Sequence, residues 1–173
     1  GYIGIYEMTK LMKGVSHTDP VGREFAFRVM NYMNAKCRQW KEETGLGFAL
    51  YGTPAESLCY RFARIDQERF GTIEDITDKG YYTNSYHVDV REEIDAFTKF
   101  KFESDFQKIS SGGSISYVEV PNMKNNLEAL EDVVKFIYEN ILYAEFNTKS
   151  DYCQECGFDG EILINDDNEW ECP

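Results

Sequence analysis

The apolar residues of this sequence change their spacing several times along the chain, from the three-to-four-residue period of a helix to short β-rich runs and back, and few architectures accommodate that alternation. Over residues 19–43, Val21, Phe25, Val29, Met33 and Trp40 recur at helical spacing, with Asp19 placed to cap, Pro20 at the first helical position and Gly45 just past the end. Phe48-Ala49-Leu50-Tyr51 reads as a short strand, and Thr53-Pro54-Ala55-Glu56 opens a second helix expected to reach about Arg64. Turns cluster around Gly71 and Gly80, residues 81–88 are β-rich, and the charged stretch after them has no periodicity that decides its local structure. Ser111-Gly112-Gly113 turns the chain into a strand over 115–120, closed by Pro121. A helix over 127–140 follows, with Leu127, Leu130, Val134, Ile137 and Ile141 on one face, then a strand over 143–146. The opening Tyr2-Ile3-Gly4-Ile5-Tyr6 reads as a strand already under way. This order predicts an α/β fold with parallel strands, whose ligands bind beyond the carboxyl ends of the strands.

A hydrophobic content of 42%, with 15% aromatic residues, suffices for a core in a chain of 173 residues, which excludes a disordered protein. The 31 acidic against 18 basic side chains give a net charge of −13, a field that repels polyanions, so neither a nucleic acid nor an anionic membrane is expected as a partner. A small phosphorylated ligand stays compatible, because backbone amides bind phosphate locally. No apolar run approaches the roughly 20 residues of a membrane span. Gly1 is not an initiator methionine and no signal-type segment precedes the first element, so the N-terminus reads as a cut.

Of the five cysteines, Cys37 and Cys59 fall in helical patterns and read as small buried hydrophobes, while Cys153, Cys156 and Cys172 cluster at the end. An odd, lopsided set suits a reducing compartment better than a disulfide framework. Cys153-Gln154-Glu155-Cys156-Gly157, followed by the β-like Glu161-Ile162-Leu163-Ile164 and then by Cys172-Pro173, reads as a zinc ribbon holding three of four ligands. Thiolates bind zinc at about 2.3 Å, and two knuckles close a tetrahedral structural site. The competing reading is unpaired thiols, or a redox pair of Cys153 and Cys156; such pairs normally open a helix and need no third cysteine at ribbon distance. The boundary between α/β body and tail falls near 149–152.

Tyr51-Gly52-Thr53-Pro54-Ala55-Glu56-Ser57 is a glycine-containing turn between a strand and a helix whose first amides are free, an arrangement that binds phosphate. Pro54 presets the first helical φ, and the Thr53 and Ser57 hydroxyls can add hydrogen bonds. Thr53-x-x-Glu56 equally fits a capping box that needs no ligand, and spacing alone favours the cap.

The succession of Gly52-Thr53-Pro54-Ala55-Glu56-Ser57, then Tyr82-Thr83-Asn84-Ser85-Tyr86-His87, then Gly112-Gly113 before a strand, then the helix and the cysteine ribbon resembles the anaerobic, class III ribonucleotide reductases over the whole of 1–173. The resemblance implies part of a ten-stranded glycyl-radical-enzyme α/β barrel over 1–150 and an incomplete zinc ribbon over 151–173. It implies an oxygen-sensitive cytoplasmic enzyme that reduces ribonucleoside triphosphates to deoxyribonucleoside triphosphates, usually with formate as reductant. A homodimer and a radical S-adenosylmethionine activating enzyme that installs the glycyl radical are implied with it.

Residue by residue, Thr53, Pro54, Ala55, Glu56 and Ser57 match the substrate-phosphate loop, Tyr51 would face the substrate pocket, and Cys153, Cys156 and Cys172 match zinc ligands. The family's radical glycine and thiyl cysteine match nothing here, so no catalytic residue is assigned and the fragment is expected to be inactive alone. His87 and His17 read as structural, and Phe97, Phe100, Phe102 and Phe106 as core packing. The alternative from another class is a non-catalytic zinc-ribbon binding module on an α/β scaffold.

Overall fold

The computed structural model describes residues 1–52, 54–148, 151–160, 162–165, 167 and 169–172, and of Glu56 the backbone alone. The expectations that fall on Thr53, on the Glu56 side chain, on residues 149–150 of the tail boundary, and on Glu161 and Pro173 therefore lie outside the described residues.

The chain does not begin as a strand. Gly4 stands at φ 76, a left-handed conformation that stops the extended run after one residue, and α1 (Ile5–Lys13) starts behind it. Tyr2 alone keeps strand character, as a parallel bridge to Gly52. The β-like Ile5 and Tyr6 instead become the buried face of the helix, whose last turn carries Lys10 and Lys13 at the negative end of its dipole.

α2 (Pro20–Thr44) forms as its signals require: Asp19 accepts a 2.8 Å hydrogen bond from the Val21 amide, Pro20 begins the helix, and Gly45 closes it at φ 71. Its buried stripe is Gly22, Ala26 and Met30, one position from the expected one, and Val21 and Trp40 are exposed. Small residues let the helix approach its neighbours closely: a Cβ on Gly22 would lie 2.0 Å from the Ser16 carbonyl oxygen.

α3 (Glu56–Phe70) runs past Arg64 to Gly71. Residues 81–88 form no strand. Ser85 takes φ 38, the His87 amide donates to the Asn84 carbonyl, and the segment is held by side chains instead of a ladder. The undecided charged stretch is α4 (Ala96–Ile109), capped by Asp95, which accepts from the Thr98 amide at 3.0 Å. Phe100 and Phe106 are fully buried in two separate clusters, as core packing requires, while Phe97 is largely exposed.

β1 (Ser116–Val120) and β2 (Ala144–Thr148) pair in parallel, Ser116 against Ala144 through Val120 against Thr148, with α5 (Leu127–Asn140) as the crossover. The expected strand over 48–51 does not form; the residue after it, Gly52, bridges in parallel to Tyr2 on one side and Ser114 on the other. The carbonyl of Leu50 accepts from the Gly112 amide at 2.7 Å, so backbone groups are satisfied without a continuous ladder. The parallel order is thus Tyr2, Gly52, β1, β2. On α5 the buried position is Val133, and Leu127 and Val134 face outward. The tail adds two hairpins, β3 (Asp151–Tyr152) with β4 (Asp159–Gly160), and β5 (Leu163–Ile164) with β6 (Trp170–Glu171). Among the described residues no helix is long and apolar enough to cross a membrane.

One ion cluster anchors the irregular segment between α3 and α4. The Lys79 ammonium, 2% exposed, lies 2.6 Å from Glu7 Oε1 on α1, bonds Asp89 Oδ2, and sits over the rings of Tyr6 and Tyr81 at 4.4 and 4.6 Å. Glu7 also accepts from the Thr83 amide and hydroxyl, each at 2.8 Å. Lys79→Met removes the only counter-charge that both carboxylates share and leaves them buried. It is expected to cost roughly 3–5 kcal/mol of unfolding free energy in urea denaturation, well beyond a surface ion pair.

Candidate functional site

The turn that opens α3 lies where a ligand site of a parallel sheet is expected, at the carboxyl end of the Gly52 bridge. Gly52 is there because nothing larger fits: a Cβ would come within 2.9 Å of Ser114 Cβ and 3.0 Å of the Tyr2 hydroxyl. The helix N-cap is Ala55, which has no side chain to offer, and no side-chain cap hydrogen bond is made. The capping box of Thr53 with Glu56 falls on side chains outside the described residues. The first amides of a helix have no intrahelical acceptor and carry its partial positive charge, and among the described residues no side chain caps them.

Of the expected phosphate-loop residues, Pro54 and Ser57 are exposed and Ala55 is buried. Tyr51 is 43% exposed, and its carbonyl accepts from the Tyr2 amide at 3.0 Å. Asn84, read in the sequence only as part of the run 82–87, accepts on its Oδ1 from the Ala55 amide at 3.0 Å and from the Cys59 thiol at 3.0 Å. No local pattern reveals a contact between residues so far apart. Asn84 and Cys59 also line a cavity of about 570 Å³ that continues along Tyr82, His87, Tyr117 and Asn147.

Both histidines are structural. His17 donates from Nε2 to the Tyr86 carbonyl at 2.7 Å, and His87 to the Ile115 carbonyl at 2.9 Å. Burial lowers the pKa of each below that of a free imidazole. Cys37 packs against the core beside α2, and Cys59 is buried on α3, so neither stands as a reactive thiol.

The tail brings Cys153, Cys156 and Cys172 together with all three sulfurs within 4.8 Å of one another, Cys156 and Cys172 at 3.1 Å. Amides of Cys156 and Glu155 donate to the Cys153 sulfur and hold its pKa down at about 7. Hydrogen bonding to Cys156 pushes Cys172 up to about 12. Three sulfurs this close cannot all ionise unless a cation shares them, and thiolates on zinc would stand about 3.8 Å apart, a spacing this cluster meets with small adjustments. The residues present thus fit a zinc ion as three of its ligands; the redox-pair reading leaves Cys172 at the centre without a purpose.

The geometry defines a parallel α/β unit with a helix starting at the carboxyl end of the Gly52 bridge and a thiol cluster carried on two short hairpins. A family model described as anaerobic ribonucleoside-triphosphate reductase matches residues 1–173, and the chain belongs to that family. It is 45% identical over 164 residues to the anaerobic ribonucleoside-triphosphate reductase of Haemophilus influenzae, covering 94% of this chain and 23% of that protein. With the enzyme of the same name from Enterobacteria phage T4 the identity is 46% over 162 residues, 94% of this chain and 25% of that one. The chain therefore spans about a quarter of the length of these relatives. A solved anaerobic ribonucleotide reductase superposes with a TM-score of 0.77 at 23% identity, over 91% of this chain and 25% of that one. The Thermotoga maritima enzyme in complex with dATP and CTP gives 0.73 at 22%, over 91% and 26%. The fold is that of an anaerobic ribonucleotide reductase, in line with the glycyl-radical-enzyme barrel that the sequence resemblance implies.

The two buried histidines set an acid limit. Their folded pKa values lie below the unfolded value of about 6.5, so the unfolded chain binds protons that the native one does not, and stability is full above about pH 6.5 and declines as pH falls below it. Burial pushes Asp89 up, but hydrogen bonds from Arg91 and Lys79 outweigh this and hold it at about 2, so its contribution begins to be lost only below about pH 4. Urea midpoints measured between pH 8 and 3 are expected to fall in two steps, the first beginning as pH drops below about 6.5 and the second below about 4.

Proposed function

We propose that this chain is the C-terminal part of the catalytic subunit of an anaerobic ribonucleoside-triphosphate reductase, with residues 1–150 contributing strands and helices to the catalytic barrel and 151–173 a zinc-binding segment. Its turn at 53–57 receives the phosphates of a ribonucleoside triphosphate, with Tyr51 at the edge of the substrate pocket. The observation that carries the reading is the start of α3, a helix N-terminus with no side-chain cap among the described residues, reached through a glycine packed too tightly for any side chain. In a chain of net charge −13, such a local set of amides is the means of attracting a polyphosphate. The family membership supports it and counts against a free-standing binding module.

The same reading makes the full-length protein an oxygen-sensitive, cytoplasmic homodimer. It carries a glycyl radical installed by a radical S-adenosylmethionine activating enzyme and uses formate as its reductant. Neither the radical glycine nor the thiyl cysteine is assigned to a residue of this chain, whose parts bind substrate and hold the tail together. Cys153, Cys156 and Cys172 hold zinc, which serves as a structural cross-link where two-residue strands provide almost no core.

Two measurements test this on the full-length protein. Ser57→Glu, which puts a carboxylate against the phosphate amides, is expected to raise KM for ribonucleoside triphosphates on the order of tenfold. An unchanged KM would sink the phosphate assignment. Zinc counted per chain by mass spectrometry after EDTA dialysis is expected to stay bound in the wild type and to be lost in Cys172→Ser, with the same thermal stability of the barrel; equal retention in both would remove Cys172 from the ligand set.

A further inference from the structure

We propose that Asn84 positions the phosphate-binding turn, and that it is an asparagine because the position needs an uncharged acceptor. The inference rests on the reading of residues 53–57 as the phosphate site.

The backbone on both sides of Asn84 is tied to α1. Thr83 donates twice to Glu7 and accepts from the Gly4 amide at 2.8 Å, and the Ser85 carbonyl accepts from the Ile5 amide at 3.1 Å. Thr83 and Ser85 are both buried. With its backbone fixed, the Asn84 side chain crosses to α3 and takes the Ala55 amide and the Cys59 thiol on one oxygen. The Ala55 carbonyl in turn accepts from the Cys59 amide at 2.7 Å. The helix N-cap is thus located from its amide side by Asn84 and from its carbonyl side by the first helical turn. Shifting it would shift the free amides that follow.

Side-chain chemistry narrows the choice at this position. The donors on α3 need an acceptor, which Asp supplies as well as Asn. Asp would also bring a full negative charge to the helix start, where it competes with a phosphate for the same partial positive charge. A residue that served the fold alone would gain from the charge-assisted bond. A residue beside a phosphate site would not.

The test uses the full-length enzyme and three variants, with KM and kcat for a ribonucleoside triphosphate, inhibition by inorganic tripolyphosphate, and melting temperature as readouts. Asn84→Ala is expected to raise KM about tenfold with kcat at saturation retained, as for lost binding of a part remote from the reacting atoms. Asn84→Asp keeps shape and acceptor, so it is expected to melt at or above the wild-type temperature, yet to raise KM and weaken tripolyphosphate by a similar factor. It keeps the proposal testable should Asn84→Ala not fold. If Asn84→Asp leaves KM unchanged, Asn84 serves only the fold, and if either variant lowers kcat at constant KM it acts on the transition state instead of on phosphate binding; either result overturns the proposal. Ser57→Glu separates this from failure of the underlying reading: a raised KM in Ser57→Glu alone overturns the role of Asn84, and unchanged KM in all three overturns the phosphate turn itself.

Discussion

The buried ammonium of Lys79 is the point on which the irregular half of the molecule turns. Between α3 and α4 lie residues 71–95, with no helix or strand, a length of chain that compact domains seldom leave unstructured. Yet Thr83, Ser85, Tyr86, His87, Val88 and Asp89 are all buried within it. Their burial is possible because Lys79 joins Glu7 of α1 to Asp89 at the far end of the loop, while Arg91 closes the remaining oxygen of Asp89 at 2.8 Å. A buried pair of charges seldom adds net stability against an apolar core. A single cation shared by two carboxylates does fix one arrangement of the loop over all others, since any slip of register leaves a charge unpaired. One Glu7 oxygen has no hydrogen-bond partner among the described residues, so the cluster is specific before it is stabilising.

That arrangement then sets the rest. Tyr86, fully buried, stacks on Phe106 of α4 and reaches Ser114 with its hydroxyl at 3.0 Å, while its carbonyl takes His17 from the α1–α2 connection. Asn84 reaches α3. From one loop, side chains thus meet the start of β1, three of the helices and the candidate site. Deleting the ion cluster would be felt at the start of α3 through Thr83 and Asn84, although no charge in it touches that helix start.

The regular elements were legible in the sequence where local rules decide them. Asp19, Pro20 and Gly45 bound α2 as their chemistry requires, and Pro121 and Asn126 bracket the passage from β1 to α5. The thiol cluster was legible too, because its spacing is itself the signal. Failures came where tertiary contacts outvote local preference. Tyr2-Ile3-Gly4-Ile5-Tyr6 has strand composition, but one left-handed glycine hands its last two residues to a helix. Residues 81–88 have β-type side chains whose burial is against different neighbours, not one sheet face. The helix stripes were displaced because Val21, Trp40, Leu127 and Val134 are apolar and exposed, so periodicity counted residues that this unit does not bury. Glu7, Lys79, Asp89 and Asn84 gave no signal, since nothing local distinguishes a buried charge or amide from a solvated one.

Those exposed apolar side chains carry an argument of their own. Parallel sheets are covered on both faces, yet every residue of β2 after Ala144 is exposed, and so are Tyr138, Leu142 and Tyr143 around it. Beyond Cys37 the last turns of α2 are exposed, with Trp40 against Phe48. A monomeric domain does not leave apolar surface of this extent open to water. Relatives about four times longer have material to cover it. The closed clusters around Phe106 and Phe100 join α1, α2, α4 and the parallel pair, while the exposed apolar side chains lie along α2, α5 and β2. On that division the unit holds its ligand-facing geometry through internal contacts, and relies on the rest of the barrel for the burial that makes it stable.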